Sequence, residues 1–265
     1  MKKILPFTLM LCFLAAGSMN SVYATSFLAF DEFGGSYRDA EKSPSNFDDD
    51  LMCWAASAAN VLAWTGWGDF VSNSEDEIFE YYQYYFKDTG FTAEGGMNWW
   101  FMGDAALYPD GPTVLDVWGG GNFWDPTTPY PRAASHTPGR NALEDIYDYW
   151  MDDNPSAAIL SIVGGGIRHA VTLWGFELDE FSEIEGIYIT DSDDSKYLED
   201  PLDLLRYYPL FETTHFDYYG TDVGVAETYI VNMFPSAPVP EPATMFLLGS
   251  GLIGLAAFRR KLRKR

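Results

Sequence analysis

Leu51-Met52-Cys53-Trp54-Ala55-Ala56-Ser57-Ala58-Ala59-Asn60-Val61-Leu62 is the stretch on which the reading of the fold turns. Its alanines and leucine favour helix and neither Gly nor Pro interrupts them, so the pattern predicts an amphipathic helix from about Cys53 to Trp64. Upstream, Thr25 to Asp50 mixes Gly34-Gly35, Pro44 and the acidic run Asp48-Asp49-Asp50, and reads as loop with one short strand. Downstream, Glu75 to Phe86 predicts a second helix. Its aromatics and Ile78 form a stripe to bury, and Glu75, Asp76 and Glu77 complement the positive end of its dipole.

Lys87 to His136 is dense in Gly, Pro, Trp and Asp, including Trp99-Trp100 and Gly119-Gly120-Gly121, and reads as long aromatic-rich loops. Arg140 to Met151 is helical again, with Leu143, Ile146, Tyr147 and Trp150 spaced for one face. The second half turns to strands at Ala157 to Val163, His169 to Leu178, Gly186 to Thr190 and about Thr228 to Met233. Helices first and an antiparallel sheet afterwards predict an α+β domain, a helical half packed on a sheet half.

The ends of the chain carry addresses. Met1-Lys2-Lys3, the apolar run Ile4 to Ala16 and then Val22-Tyr23-Ala24 have the form of a secretory signal peptide over residues 1–24. The apolar run is shorter than the roughly 20 residues a spanning helix needs. At the other end, Val239-Pro240-Glu241-Pro242-Ala243-Thr244 precedes an apolar segment from Met245 to Phe258 and the basic tail Arg259-Arg260-Lys261-Leu262-Arg263-Lys264-Arg265. Such a basic cluster stays cytoplasmic, so the only membrane contact expected is through this helix. Residues 237–265 resemble the PEP-CTERM sorting signal of Gram-negative bacteria. The resemblance implies recognition by an exosortase and a destination at the cell surface or outside the cell.

Between the addresses, residues 25–236 suit one domain. The chain carries a formal charge of -23, and eight of its sixteen basic residues lie in the two addresses, so the exported domain is more acidic still. Nucleic acid is excluded as a partner, because phosphate binding needs a basic face. Of two cysteines, Cys12 lies in the signal peptide and Cys53 stands alone in the domain. An intramolecular disulfide is impossible there, which leaves a buried hydrophobe or a reactive thiol.

Acyl transfer by a thiol needs a thiolate, a base, a group that orients the base, and donors for an oxyanion. Cys53 opens a predicted helix, where unpaired N–H groups and the dipole lower a thiol pKa. The preceding carboxylates oppose that shift unless one of them caps the helix. Three histidines could be the base: His136 in a turn-like stretch, His215 in a polar segment, and His169. His169 opens a strand just after Gly164-Gly165-Gly166. If Glu177 to Glu185 makes a hairpin, Asp191 at the end of the next strand becomes its neighbour and can fix its tautomer. The run Asp191-Ser192-Asp193-Asp194-Ser195 also reads as a solvated turn or a calcium loop, although it lacks the Gly and distal Glu of an EF-hand.

Three ordered words, the one quoted first, Arg168-His169-Ala170-Val171-Thr172-Leu173-Trp174-Gly175, and Ile187-Tyr188-Ile189-Thr190-Asp191-Ser192-Asp193, resemble the IdeS/Mac family of secreted bacterial cysteine endopeptidases. The resemblance implies a papain-like fold, Cys53 as nucleophile, His169 as base, Asp191 as its orienting partner and Asp193 as a further supporting carboxylate. It also implies a lysine near the oxyanion site, for which Lys42 is the nearest match, displaced by about one residue. No cofactor or metal is implied, and the partner is a protein or peptide substrate. The region from Lys87 to Gly139 shows no match, so the immunoglobulin substrate does not carry over. Two other readings fit the same features: a transglutaminase or amidase using the same triad, or an inactive surface or matrix protein whose aromatic loops bind glycan or protein.

Overall fold

β-branched and aromatic runs make the strands of this protein, and alanine-rich or acidic-capped runs make its helices. A computed structural model describes residues 25–43, 49–103, 119–128, 131–136, 142–193 and 204–234. In chain order the elements are Thr25–Leu28 (β1), Ala29–Phe33 (α1), Cys53–Thr65 (α2), Glu75–Phe86 (α3), Ala93–Met102 (α4), Arg132–His136 (β2), Ala142–Met151 (α5), Ser156–Gly164 (β3), Ile167–Leu178 (β4), Ile184–Thr190 (β5), Arg206–Glu212 (β6), His215–Tyr218 (β7) and Thr221–Asn232 (β8).

The expected papain-like α+β fold, a helical half on an antiparallel sheet half, is not what the chain forms. Strands β3 to β8 are each hydrogen-bonded to the next, all antiparallel, and β8 returns to β3, so six consecutive strands close into a barrel. Closure depends on elements that the alternation pattern did not predict. β6 and β7 form where that pattern predicts no strand, and β8 begins at Thr221 rather than Thr228. Without those strands β5 and β8 would be exposed edges; with them every barrel strand has two neighbours, which removes the edges altogether.

β4 is the hinge of the barrel. Its first half pairs with β3 and its second half with β5, and the β4–β5 register shifts between Leu173 and Gly175. Such a bulge bends a strand and raises its twist, as a closed sheet requires. β1 adds to β4 outside the ring, and Gly175 permits it: a Cβ there would lie 2.3 Å from the Phe27 carbonyl oxygen. β2 pairs with β8 in the same external fashion.

The α2 helix is not amphipathic. Every residue from Trp54 to Thr65 is buried, because α2 lies between β3 and β4 on one side and α3 and α4 on the other. α4 falls where the sequence reads as loop. Thr92 caps it, its hydroxyl accepting from the Gly95 N–H at 3.0 Å. Gly96, which speaks against helix on propensity, lies against Trp54, where a Cβ would come within 2.3 Å of the ring.

One buried side chain locks α2 to the barrel. Asn60 Nδ2 donates to Thr172 Oγ1 at 3.1 Å and to Thr190 Oγ1 at 3.4 Å, two residues paired across β4 and β5. Asn60 Oδ1 accepts from the Ala40 N–H at 2.7 Å, and Thr190 Oγ1 donates to the Arg38 carbonyl at 2.8 Å. Helix, two strands and the 38–42 segment thus meet on one carboxamide. Replacing Asn60 by Leu leaves the Ala40 N–H buried without its acceptor, at a cost of about 1–3 kcal/mol. Urea unfolding should show the unfolding free energy falling by that amount, through a lower midpoint with an unchanged m-value.

Candidate active site

Asn60 lies seven residues, two helical turns, beyond Cys53, so both project from one face of α2. The face that reaches Thr172 and Thr190 therefore also carries the thiol to the strands bearing His169 and Asp191. His169 lies near the start of β4 and Asp191 directly follows β5. The hairpin between them turns at residues 179–183, where the Asp179 carboxylate accepts from the N–H groups of Phe181 and Glu183.

His169 Nε2 and Asp191 Oδ1 are 2.6 Å apart, and both residues are buried, at 8% and 0% exposure. Nε2 is engaged by Asp191, and Cys53 lies close enough to the imidazole that each group shifts the pKa of the other. Met52 precedes the helix without a side-chain cap, and its carbonyl accepts from Ala55 and Ala56. The amides of Cys53 and Trp54 precede that first turn and have no acceptor within the helix.

Two of the acidic residues before Cys53 have partners away from its thiol. Asp49 is turned aside, its Oδ2 accepting from the Ser43 N–H at 2.8 Å and from Gln83 Nε2 at 3.2 Å. Asp50 contributes its backbone carbonyl to Lys42 Nζ at 2.9 Å. Asp48 lies outside the described residues.

Lys42, 1% exposed, sits within the cluster: its Nζ is 2.7 Å from Asp193 Oδ1, and its N–H donates to the Ser192 carbonyl. Asp193 Oδ2 is 3.7 Å from His169 Nδ1. The five residues singled out from the sequence, Lys42, Cys53, His169, Asp191 and Asp193, are thus drawn from four separate segments into one connected set. His215 is elsewhere, half-buried on β7 beside Glu212. His136 belongs to β2, pairing with Thr228 through the backbone.

The sequence gives no sign of two members of this network. Tyr218 donates its hydroxyl to Asp191 Oδ2 at 2.7 Å, and Asn60 acts through the threonines. Tyr218 is one of seventeen tyrosines, on a strand of only four residues, and only the closed barrel brings it to Asp191. Donors also occupy the carboxylates of the possible calcium loop: Asp191 accepts from His169, Tyr218 and the Asp193 N–H, and Asp193 pairs with Lys42. Asp194 and Ser195 lie outside the described residues. Among the described residues no cluster of three or more His, Cys, Asp or Glu side chains could hold a metal ion.

Burial opposes the Cys53 thiolate, yet the charge and hydrogen bond of His169, the charge of Lys42 and the Ala170 N–H together hold its pKa below the ordinary thiol value. Burial likewise opposes the imidazolium, but the Cys53 thiolate and the bond to Asp191 push His169 up to about 10. Asp191 is held low against its own burial by His169, Tyr218 and the Asp193 N–H. The Cys53 and His169 directions both favour the thiolate–imidazolium pair over the neutral thiol and imidazole, and the thiolate is the form in which a thiol attacks a carbonyl.

The PEP-CTERM protein-sorting motif matches residues 238–261, beyond the described residues. The chain is therefore exported and sorted, through exosortase recognition, to the cell surface or extracellular space of a Gram-negative bacterium. The match reaches none of the residues between 25 and 234, and no curated protein matches the chain. Among the described residues no helix is long and apolar enough to cross a membrane.

The ion pair sets the pH dependence of alkylation. Thiolate is lost as pH falls through the lowered Cys53 value, and imidazolium is lost as pH rises through about 10. Iodoacetamide should therefore label Cys53 rapidly at pH values where an ordinary thiol, with its pKa of about 8.5, is protonated. The rate should change a second time near pH 10. His169→Ala should return the profile to one step near the ordinary value.

Proposed function

We propose that this exported protein is a cysteine endopeptidase that hydrolyses peptide bonds through Cys53, His169 and Asp191. The observation that carries the reading is the buried 2.6 Å bond between His169 and Asp191, with Cys53, at the start of α2, near enough to raise the imidazole's pKa. The resemblance of three sequence words to the IdeS/Mac family supports the same assignment of roles.

The Cys53 thiolate attacks the peptide carbonyl carbon, and the electrons of the C=O bond move onto oxygen. The Cys53 N–H, at the start of α2, is suited to stabilise that oxyanion. His169 gives its proton to the leaving amine as the C–N bond breaks, leaving a thioester. His169, now neutral, takes a proton from water, which attacks the thioester and regenerates thiol and carboxylate. Asp191 holds the ring in the required tautomer and stabilises the imidazolium. Lys42 balances Asp193, so the carboxylate beside Nδ1 does not stand as an uncompensated charge next to the thiolate.

Cys53→Ala should lower kcat/KM on a cleaved peptide by at least about 10³-fold while leaving thermal unfolding nearly unchanged, because the substitution removes one sulfur atom. Mass spectrometry of peptide-library digests, with and without an added amine, reads both cleavage and transfer. Cleavage that survives Cys53→Ala overturns the proposal, and amine incorporation exceeding hydrolysis redirects it to a transferase.

A further inference from the structure

Asp191 has two carboxylate oxygens, and only one faces His169. Oδ1 accepts from His169 and from the Asp193 N–H at 3.0 Å, whereas Oδ2 accepts from Tyr218 at 2.7 Å. Tyr218 stands on β7, and β6 lies between it and the strand that leads into Asp191. The hydroxyl thus bridges strands that share no backbone hydrogen bond. Tyr218 is 2% exposed, its ring 5.7 Å from that of His169, 6.3 Å from that of Tyr208 and 4.7 Å from that of Tyr219.

We propose that Tyr218 is a positioning residue of the site, fixing Asp191 so that Oδ1 meets His169 Nε2 while the carboxylate stays ionised. The inference rests on the cysteine peptidase reading of Cys53 and His169. A carboxylate can turn about its Cβ–Cγ bond, and burial favours its neutral form unless donors satisfy both oxygens. Tyr218 supplies the donor on the side His169 cannot reach. A phenylalanine would pack equally well among Tyr208, Tyr219 and His169, so packing alone does not require the hydroxyl; buried hydroxyls persist where they are bonded. Burial and the Asp191 charge also push the phenol up, which keeps it a neutral donor across the working pH range.

The test uses the full chain as wild type, Tyr218→Phe, Asp191→Asn and the double variant, each checked by thermal melt. The Asp191 carboxyl is titrated by carbon-13 NMR, and Cys53 by alkylation against pH. Tyr218→Phe should raise the Asp191 titration by about one to two units, the effect of losing one hydrogen bond to a charged group. It should also move the acid limb of Cys53 alkylation to higher pH, and that movement should vanish in the Asp191→Asn background. An unmoved Asp191 titration, or an equal loss of reactivity in both backgrounds, overturns the positioning role. A wild-type thiol that titrates like a free cysteine overturns the peptidase reading instead, and the Asp191 titration then decides the tie to Tyr218 independently.

Discussion

The contact between the Asn60 carboxamide and the hydroxyls of Thr172 and Thr190 is the constraint from which the rest of the site follows. A helix packed on a sheet by apolar contacts alone can slide or rotate at small cost, because apolar burial is non-directional. Hydrogen bonds buried on both sides cannot be remade after a shift of one residue. Since Thr172 and Thr190 face each other across β4 and β5, one side chain fixes the helix against both strands. Cys53, two turns before Asn60, His169, three residues before Thr172, and Asp191, next after Thr190, inherit that register. The same clasp holds Ala40 and, through Thr190, Arg38, which places Lys42 beside Ser192 and Asp193.

Charge in this cluster is arranged in pairs. Burying a lone thiolate or imidazolium is expensive, and burying them together is tolerable only if the remaining polar atoms find partners. Asp191 faces the imidazolium, Lys42 faces Asp193, and Asp49 is bonded to Ser43 and Gln83, away from the helix start. A domain with a large acidic excess can therefore hold a lowered thiol pKa at one position. The general acidity governs the surface, and the site is governed by its own contacts.

Local signals were legible in the sequence and topology was not. α3 spans the residues its pattern implies, Glu75 to Phe86, because an acidic first turn and an apolar stripe are signals contained within one helix. Cys53, His169 and Asp191 could be singled out because a lone thiol, a glycine-flanked histidine and an aspartate at a strand end are each visible locally. α4 was hidden by Gly95 and Gly96, since the need for a small residue against Trp54 comes from another helix. β6 was hidden because Tyr207 and Phe211 are exposed while Tyr208 is buried, a mixture that hydropathy alone cannot sort, and β7 because its alternation runs for only four residues. Missing two strands turned a closed barrel into an open sheet half, and with that the papain-like expectation failed. Tyr218 and Asn60 acquire meaning only from the partners that closure and packing bring to them.

Export places this protein at the cell surface or in the extracellular space. The central claim is that Cys53 and His169 exist as an ion pair, and the ultraviolet thiolate absorbance of wild type minus Cys53→Ala, followed against pH, tests it most directly. A thiolate band that persists well below the ordinary thiol pKa of about 8.5, and that His169→Ala abolishes at low pH, is the expected result. A band that rises only near that ordinary value, with or without His169, would contradict it.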